Sequence, residues 1–369
     1  MKPVKKTNWI DRLSLIAGIG LAVATVLGFL GRVCWVCDLF SHFRVQYFQL
    51  FLVLIGISIW RRQNKQMVVF ILLACLNYAL VLPLYFGKPS VATEPPARAM
   101  LMNLNASNGN SEQVLTAIRT ADPDLLLLEE VTPKWAAELG FLESFTLDVS
   151  QNPSRPSATP PEEGNVHDDD ATSPPLEGCR NGGVGSPFPK RASQLSLALD
   201  YPYRVSDVRN GCFGIMLLSK HPLSRTNVVF IGSAGVPTIV ADVHLPQGEI
   251  SLIGTHPVPP ISVEFSNHRN HQLTALPQFV REQKHPVLLI GDLNASPWSA
   301  HFARLLKDSG LKNSMKHFGF QPSWPSDNRF FRIPIDHILH SPDILIHRRA
   351  VGGDVGSDHL PVIVDFSIR

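Results

Sequence analysis

The hydropathy of the chain changes character near residue 90. Before that point lie three long apolar runs, from Leu13 to Gly31, Val45 to Trp60 and Met67 to Phe86. The first is free of charge over 19 residues and as a helix would extend about 28 Å, close to the hydrocarbon thickness of a bilayer. Each run is bounded by Arg, Lys or aromatic residues of the kind that anchor at membrane interfaces. Gln46 and Gln49 blur the entry edge of the second. A cleaved signal peptide competes for the first run, because Lys2, Lys5 and Lys6 precede it, but two further runs follow. Residues 91–98 read as a Pro-containing linker. After them, ARAMLMNL, DLLLLEEV, GIMLLS, TIVADVHL, ISLIGTH, VLLIGD, IDHILH and LPVIVDF have the pattern of strands, the fourth and fifth forming a hairpin. SEQVLTAIRTA, with Ser111 capping it, Ser262–Gln283 and Ser299–Leu306 read as helices. This mixture predicts a layered α+β domain over residues 99–369, behind an anchor of three transmembrane helices over residues 1–90. From about 151 to 193 periodicity disappears into Pro, Gly, Ser and charge, which predicts a disordered insertion.

Composition sharpens the division. Of the 369 residues, 44% are hydrophobic and only 17% charged, and the excess apolar content is that of the three spans. The net charge of +2 conceals an asymmetry. Residues 1–90 hold ten Lys/Arg and two Asp/Glu, leaving 23 basic and 29 acidic residues in the remainder. Lys2, Lys5, Lys6 and Arg12 precede the first span, and Arg61, Arg62 and Lys65 separate the second from the third. With three crossings the positive-inside rule puts the N-terminus in the cytoplasm and everything after Phe86 on the extracytoplasmic side of an inner or plasma membrane. Five Cys cannot make a disulfide framework in this length. Cys34 and Cys37, a lone CxxC at the membrane edge, read as a plain or oxidised pair, since a structural zinc site needs four ligands. His167 with Asp168–Asp170 reads as a solvated acidic run.

Polar residues recur where the predicted strands end. Asn103 follows AMLM, Glu129 and Glu130 end DLLLL, His256 ends SLIGT, and Asp292 and Asn294 follow VLLIG. Asp336 and His337 lie in IPIDHILH, and Ser357-Asp358-His359 precede LPVIVDF. Taken singly, Asp292 and Asn294 could cap a turn and Asp336 could accept a structural hydrogen bond. Together they suggest one convergent site on the rim of a sheet sandwich. Carboxylate and amide oxygens without thiolates suit a hard cation, Mg²⁺ or Mn²⁺. Imidazoles beside carboxylates suit proton transfer near neutral pH. Metal plus His–Asp pairs is equipment for attacking a phosphate ester with water.

At this level the chain resembles the endonuclease/exonuclease/phosphatase (deoxyribonuclease I-like) superfamily, and more narrowly its bacterial membrane-anchored members. DPDLLLLEEV, GIMLLSKHPL, VLLIGDLNASPWS, IDHIL and GSDHLPV are similar to five of the family's ordered blocks, over about Arg98–Arg369. The resemblance implies a four-layer αββα sandwich. It also implies Glu130 as principal metal ligand with Asn103 beside it, and Asp358 as a further ligand. Asp292 would orient or deprotonate the attacking water, Asn294 would hold the phosphate, His359 would be the central imidazole paired with Asp336, and His256 would be a second imidazole. Glu129 replaces the family's usual Gln and is expected to add negative charge beside the site; Cys212 stands where relatives carry Tyr or Asn. Arg269 and Gln272 either support the site or lie on a solvated helix face. His244, His268, His271, His337, His340 and His347 match no signature and read as surface or structural.

The reading that follows is a membrane-anchored, Mg²⁺- or Mn²⁺-dependent phosphoesterase, its partners the lipid bilayer and a phosphate-ester substrate, whether nucleic acid, lipid head group or small phosphate. No Lys/Arg cluster makes a footprint for DNA. Two alternatives stand beside it: a sphingomyelinase-like lipid phosphodiesterase, and a non-catalytic membrane scaffold of the same fold.

Overall fold

A computed structural model describes residues 8–92, 95–141 and 196–369. The expected insertion at 151–193, with His167 and Asp168–Asp170, lies outside the described residues. The N-terminal runs form helices α1 (Trp9–Leu27), α2 (Trp35–Ser41), α3 (Arg44–Arg61) and α4 (Asn64–Val81). α1 and α4, the latter continued by a 3₁₀ turn to Leu84, are long and apolar enough to cross a membrane; α2 and α3 would make a third crossing if taken as one span bent by 64°. Their ends are matched by polar contacts. Arg61 Nε donates to Asp11 Oδ1 at 2.7 Å. At the opposite end Arg44 Nη1 donates to the Thr25 carbonyl at 2.8 Å, and Asn77 Nδ2 to the Thr25 hydroxyl at 3.1 Å. So α1 and α4 run one way and α3 the other, which leaves α2 and the exit of α4 at the same end. The segment expected to be a loop between the first two spans is instead helix α2, and Cys34 and Cys37 are both free.

Two six-stranded sheets follow. The first has the order β11 (Ile344–Val351), β12 (Val362–Ile368), β1 (Ala97–Asn103), β2 (Leu125–Glu129), β4 (Ile215–Ser219) and β3 (Tyr203–Asp207). The second runs β5 (Leu223–Phe230), β6 (Pro237–Leu245), β7 (Gly248–Thr255), β8 (Val287–Asp292), β10 (Asp336–His340) and β9 (Lys312–Asn313). Strand alternation sorts the apolar side chains into layers. Leu101, Leu127, Ile290, Ile338 and Val364 pack between the sheets. Met100, Met102, Leu126 and Leu128 face outward onto α5 (Ser111–Ala121) and α6 (Pro133–Glu138). Leu289 and Leu339 face outward onto α7 (Val263–Arg281) and α8 (Ala300–Ser309). The result is the four-layer αββα sandwich. At the start of α5 the cap position is Asn110, with Ser111 the first helical residue and no side-chain capping bond.

Glu129 continues the inward alternation of Leu125 and Leu127 and so lies between the sheets. Fully buried, it accepts the Asp292 amide of β8 with both carboxylate oxygens at 3.1 Å, tying one sheet to the other. Burial, reinforced by Asp292 and Asp336, pushes its acidity constant well above the ordinary value of 4.5. The site thus disfavours the extra negative charge expected of Glu129, in a place where relatives carry a neutral Gln.

The helices are fastened to the sandwich by a second buried contact. Arg269, on α7, donates to Asp38 Oδ2 of α2 at 2.7 Å, both side chains being completely excluded from solvent. Ser299 Oγ donates to the same carboxylate at 2.9 Å, and Arg269 Nη1 donates to the Asn294 carbonyl at 2.8 Å. Around this pair, Ser296 N donates to His42 Nδ1 and Trp298 Nε1 to the Leu80 carbonyl, while Gln46 Nε2 donates to the Phe330 and Arg332 carbonyls. Arg269 and Gln272 therefore do not lie on a solvated face; Gln272 is equally buried, donating to Thr255 at 2.9 Å.

Two outcomes follow. Asp38→Ala strands a buried guanidinium and should cost about 3–5 kcal/mol, read as a lower thermal midpoint of the full chain. Glu129→Gln should retain activity and change the pH dependence of stability. An acid whose folded value is raised binds its proton more tightly when folded, so wild-type stability declines as pH rises past the unfolded value. The midpoint of Glu129→Gln minus wild type should be smallest below the unfolded value and grow as pH rises past it. A difference that does not change with pH would refute the raised acidity constant of Glu129.

Candidate functional site

The inward alternation that builds the core also builds the site, because it continues to the last residue of each strand and one step beyond. Ala97, Ala99 and Leu101 lead to Asn103; Leu288 and Ile290 lead to Asp292; Ile338 leads back to Asp336; Ile250, Leu252 and Gly254 lead to His256. Pairing register then brings these ends together. Asn103 is opposite Glu129 in the parallel β1–β2 pair, and Asp336 is opposite Asp292 in the antiparallel β10–β8 pair. Five strands thus deliver their polar termini to one rim. Three residues there, Asn105, Glu130 and Asn294, have positive φ of 56°, 58° and 49°. A left-handed Glu is uncommon, and such strain, about 1–3 kcal/mol per residue, collects at functional sites. It turns the Glu130 carboxylate out of the sheet and toward the rim.

Two groups of side chains result. In one, His359 Nδ1 bonds Asp336 at 2.9 and 3.1 Å, while His359 Nε2 and His256 Nε2 each lie 3.7 Å from Asp292 Oδ2. Burial disfavours the charged His359, but Asp336, aided by Asp292 and Asp358, overrides it and raises the imidazole to about 10. Burial would raise Asp336, yet the charge and hydrogen bond of His359 hold it below its ordinary value. Burial together with the facing Asp336 pushes Asp292 well up, outweighing His359 at 3.7 Å and the Asn294 backbone amide, which donates to it at 2.8 Å. His256 is pushed down to about 4 by burial and by His359, and its Nδ1 is buried without a hydrogen-bond partner among the described residues. The rim therefore holds one charged imidazole, one neutral imidazole and a carboxyl whose proton affinity is raised.

The second group is made of oxygen donors. Glu130 accepts from Asn103 Nδ2 at 3.1 Å and from the Ala106 amide at 2.9 Å. Asp358 accepts from Asn105 Nδ2 at 2.7 Å and from Trp324 Nε1 at 3.1 Å. These bonds orient the carboxylates and neutralise neither. Ligand atoms of Asp292, Asp336 and His359 also lie within 4.8 Å of one another, but the His359–Asp336 bond already occupies that trio. Glu130, Asn103 and Asp358 are the donors suited to a hard cation.

Glu130, Asp292, Asn294, His256, Asp358 and His359 all line one cavity of about 720 Å³, with Asn103 and Asp336 behind it. Among the described lining residues there is no Lys or Arg. Asn294 is positioned by its side chain donating to the Pro257 carbonyl at 2.9 Å. Cys212, also on the wall, is disulfide-bonded. Sequence reasoning missed Asn105 and Trp324, which hold Asp358, and Trp35, Leu39 and His42 of the N-terminal segment, which line the cavity. Asn105 had a signal in the Asn-rich run after β1; Trp324 sits in an aperiodic stretch that offers none.

A model of the Endonuclease/Exonuclease/phosphatase family matches residues 100–359. The chain is similar to the UPF0294 protein of Vibrio campbellii, 30% identical over 101 residues, which are 27% of this chain and 33% of that protein. The match thus spans a third of that relative's length. Two solved structures share the fold: D. rerio TDP2 complexed with single strand DNA product, at TM-score 0.51 and 15% identity over 74% of this chain and 100% of that one, and the endonuclease/exonuclease/phosphatase from Bacteroides vulgatus, at 0.51 and 12% over 75% and 100%. With the family match running from Met100 in β1 to His359 at the rim, over most of the chain, this protein belongs to the endonuclease/exonuclease/phosphatase family.

Proposed function

We propose that the protein is a membrane-anchored phosphoesterase that depends on a divalent metal, Mg²⁺ or Mn²⁺, and hydrolyses a phosphodiester or phosphomonoester. The observation that carries this reading is the composition of the rim: the His359–Asp336 pair, Asp292, His256 and Asn294 share one cavity with the oxygen donors Glu130 and Asp358, and no Lys or Arg among the described lining residues balances them. Glu130, Asn103 and Asp358 would hold the cation, which when bound neutralises phosphoryl oxygens and polarises the ester.

The chain's own groups supply the rest. Asp292, with its raised proton affinity, takes a proton from water as the water oxygen bonds to phosphorus. The bond from phosphorus to the leaving oxygen breaks, and that oxygen takes up a proton. His359, held charged by Asp336, faces the negative charge that grows on the phosphoryl oxygens. Neutral His256 and the Asn294 amide donate hydrogen bonds to the same group. The anchor is α1, the bent α2–α3 pair and α4. With three crossings the basic Arg61–Lys65 turn is cytoplasmic and the sandwich is extracytoplasmic, a compartment in which the Cys212 disulfide persists.

Full-length protein assayed on bis(p-nitrophenyl) phosphate and p-nitrophenyl phosphate should be active with Mg²⁺ or Mn²⁺ and inactive in chelator. His359→Ala and Asp292→Ala should each lose about 10²–10⁴-fold in kcat. Turnover that survives chelation or both substitutions would eliminate the proposal, and metal binding without turnover would favour a scaffold. For the orientation, a phosphatase reporter that folds only outside the cytoplasm should be active when fused after Arg369; an inactive fusion would reverse the topology.

A further inference from the structure

The cavity has two unlike ends. The catalytic rim is polar, whereas the mouth is apolar, and part of that mouth does not belong to the sandwich. Trp35 and Leu39 of α2, with His42 just after it, form one wall, held there by the Asp38–Arg269 pair and by Ser296 N donating to His42 Nδ1 at 3.2 Å. Pro260 and Ile261, just before α7, and Phe265 in its first turn line the same cavity. A cavity of about 720 Å³ exceeds what a phosphate group needs and is of the size that encloses a whole small ligand.

A second observation points the same way. Among the described residues of the sandwich, seven large apolar side chains are exposed, and four of them, Ile261, Val263, Phe330 and Phe331, belong to two segments beside this mouth. The carbonyls of Phe330 and Arg332 accept hydrogen bonds from Gln46 at the start of α3, both at 3.0 Å. Four of the seven exposed apolar side chains of the sandwich thus fall in segments on the side that meets the apolar helices. Isolated exposed apolar residues are ordinary; a cluster at the mouth of a cavity marks a contact with something apolar.

We propose that α2 is part of the substrate site and that the substrate is an amphiphile. Its phosphoester is held at the Asp292–His359 rim, and its hydrocarbon chain lies against Leu39, Trp35, Ile261 and Phe265. This rests on the phosphoesterase reading and adds the chemical class of the substrate to it. The anchor then does more than tether the enzyme: it supplies a specificity wall and places the mouth at the surface from which a lipid phosphoester would enter.

The test uses the full chain held in amphipol, which carries no phosphate, with methyl p-nitrophenyl phosphate and octyl p-nitrophenyl phosphate, each below its micellar concentration. Both release p-nitrophenolate, so the same reporting group leaves in each case. The ratio of kcat/KM, octyl over methyl, should be on the order of 100, below the ceiling of about fourfold per buried methylene. Leu39→Asn and Ile261→Asn should each lower that ratio about tenfold. Ile261 is already 56% exposed, so its variant should fold even if Leu39→Asn does not. A ratio near one in an enzyme that hydrolyses the methyl ester would overturn the amphiphile while leaving the phosphoesterase standing. An unchanged ratio in Ile261→Asn would do the same. Failure to hydrolyse either ester with Mg²⁺ or Mn²⁺ would remove both. The same phosphoester on a diacylglycerol in nanodiscs should release its head group at a rate that falls in Ile261→Asn; turnover of the soluble octyl ester alone would assign the chain pocket to a water-borne amphiphile.

Discussion

Two sheets packed face to face must fill the space between them, and at one rim this protein fills it with carboxyl, amide and imidazole groups instead of hydrocarbon. Burying a carboxylate without a partner is expensive, and here Glu129, Asp292 and Asp336 lie within the same few ångströms. The rim resolves the conflict unevenly. Asp336 is held below its ordinary acidity constant by the charge and hydrogen bond of His359, whereas burial and neighbouring carboxyls push Glu129 and Asp292 well above theirs. The chemical differences among three similar acids are therefore consequences of packing. A metal brought to Glu130 and Asp358 would act on the same balance from the cavity side.

Most of this was legible in the sequence because the decisive pattern is local. A buried strand must alternate or be wholly apolar, and a polar residue at its end must either reach solvent or join a site; DLLLLEE and VLLIGD state this within seven residues. β3, β5 and β11 were not foreseen. They lie at sheet edges, half exposed, and their mixed sequences carry no clear period. α2 was read as a loop since seven residues are too few to establish a helical stripe. The raised acidity constant of Glu129 was not foreseen because its neighbours in sequence do not reveal that its side chain faces a second sheet.

The contact between helices and sandwich was the least visible feature. Asp38 and Arg269 are 231 residues apart, and each is unremarkable in its own surroundings: an acid in a short membrane-edge segment, a base on an amphipathic helix. Only their meeting, with solvent excluded from both, identifies them as a pair. The same holds for Trp35 and Leu39, which read as membrane-edge residues until the cavity they border is seen. Local periodicity reports which face of an element is covered, and it carries no information about which distant element covers it.

That separation also orders the assembly of the molecule in time. As the chain is synthesised, Asp38 emerges with the first helices and has no guanidinium to meet until α7 has been made, followed by Ser299 at the head of α8. The apolar helices can form early, but α2 cannot take its final seat, and the wall it contributes to the cavity cannot form, before most of the sandwich exists. A cavity completed last, by a piece of chain made first, leaves the nascent protein without a finished cavity at its rim until the domain around it has folded.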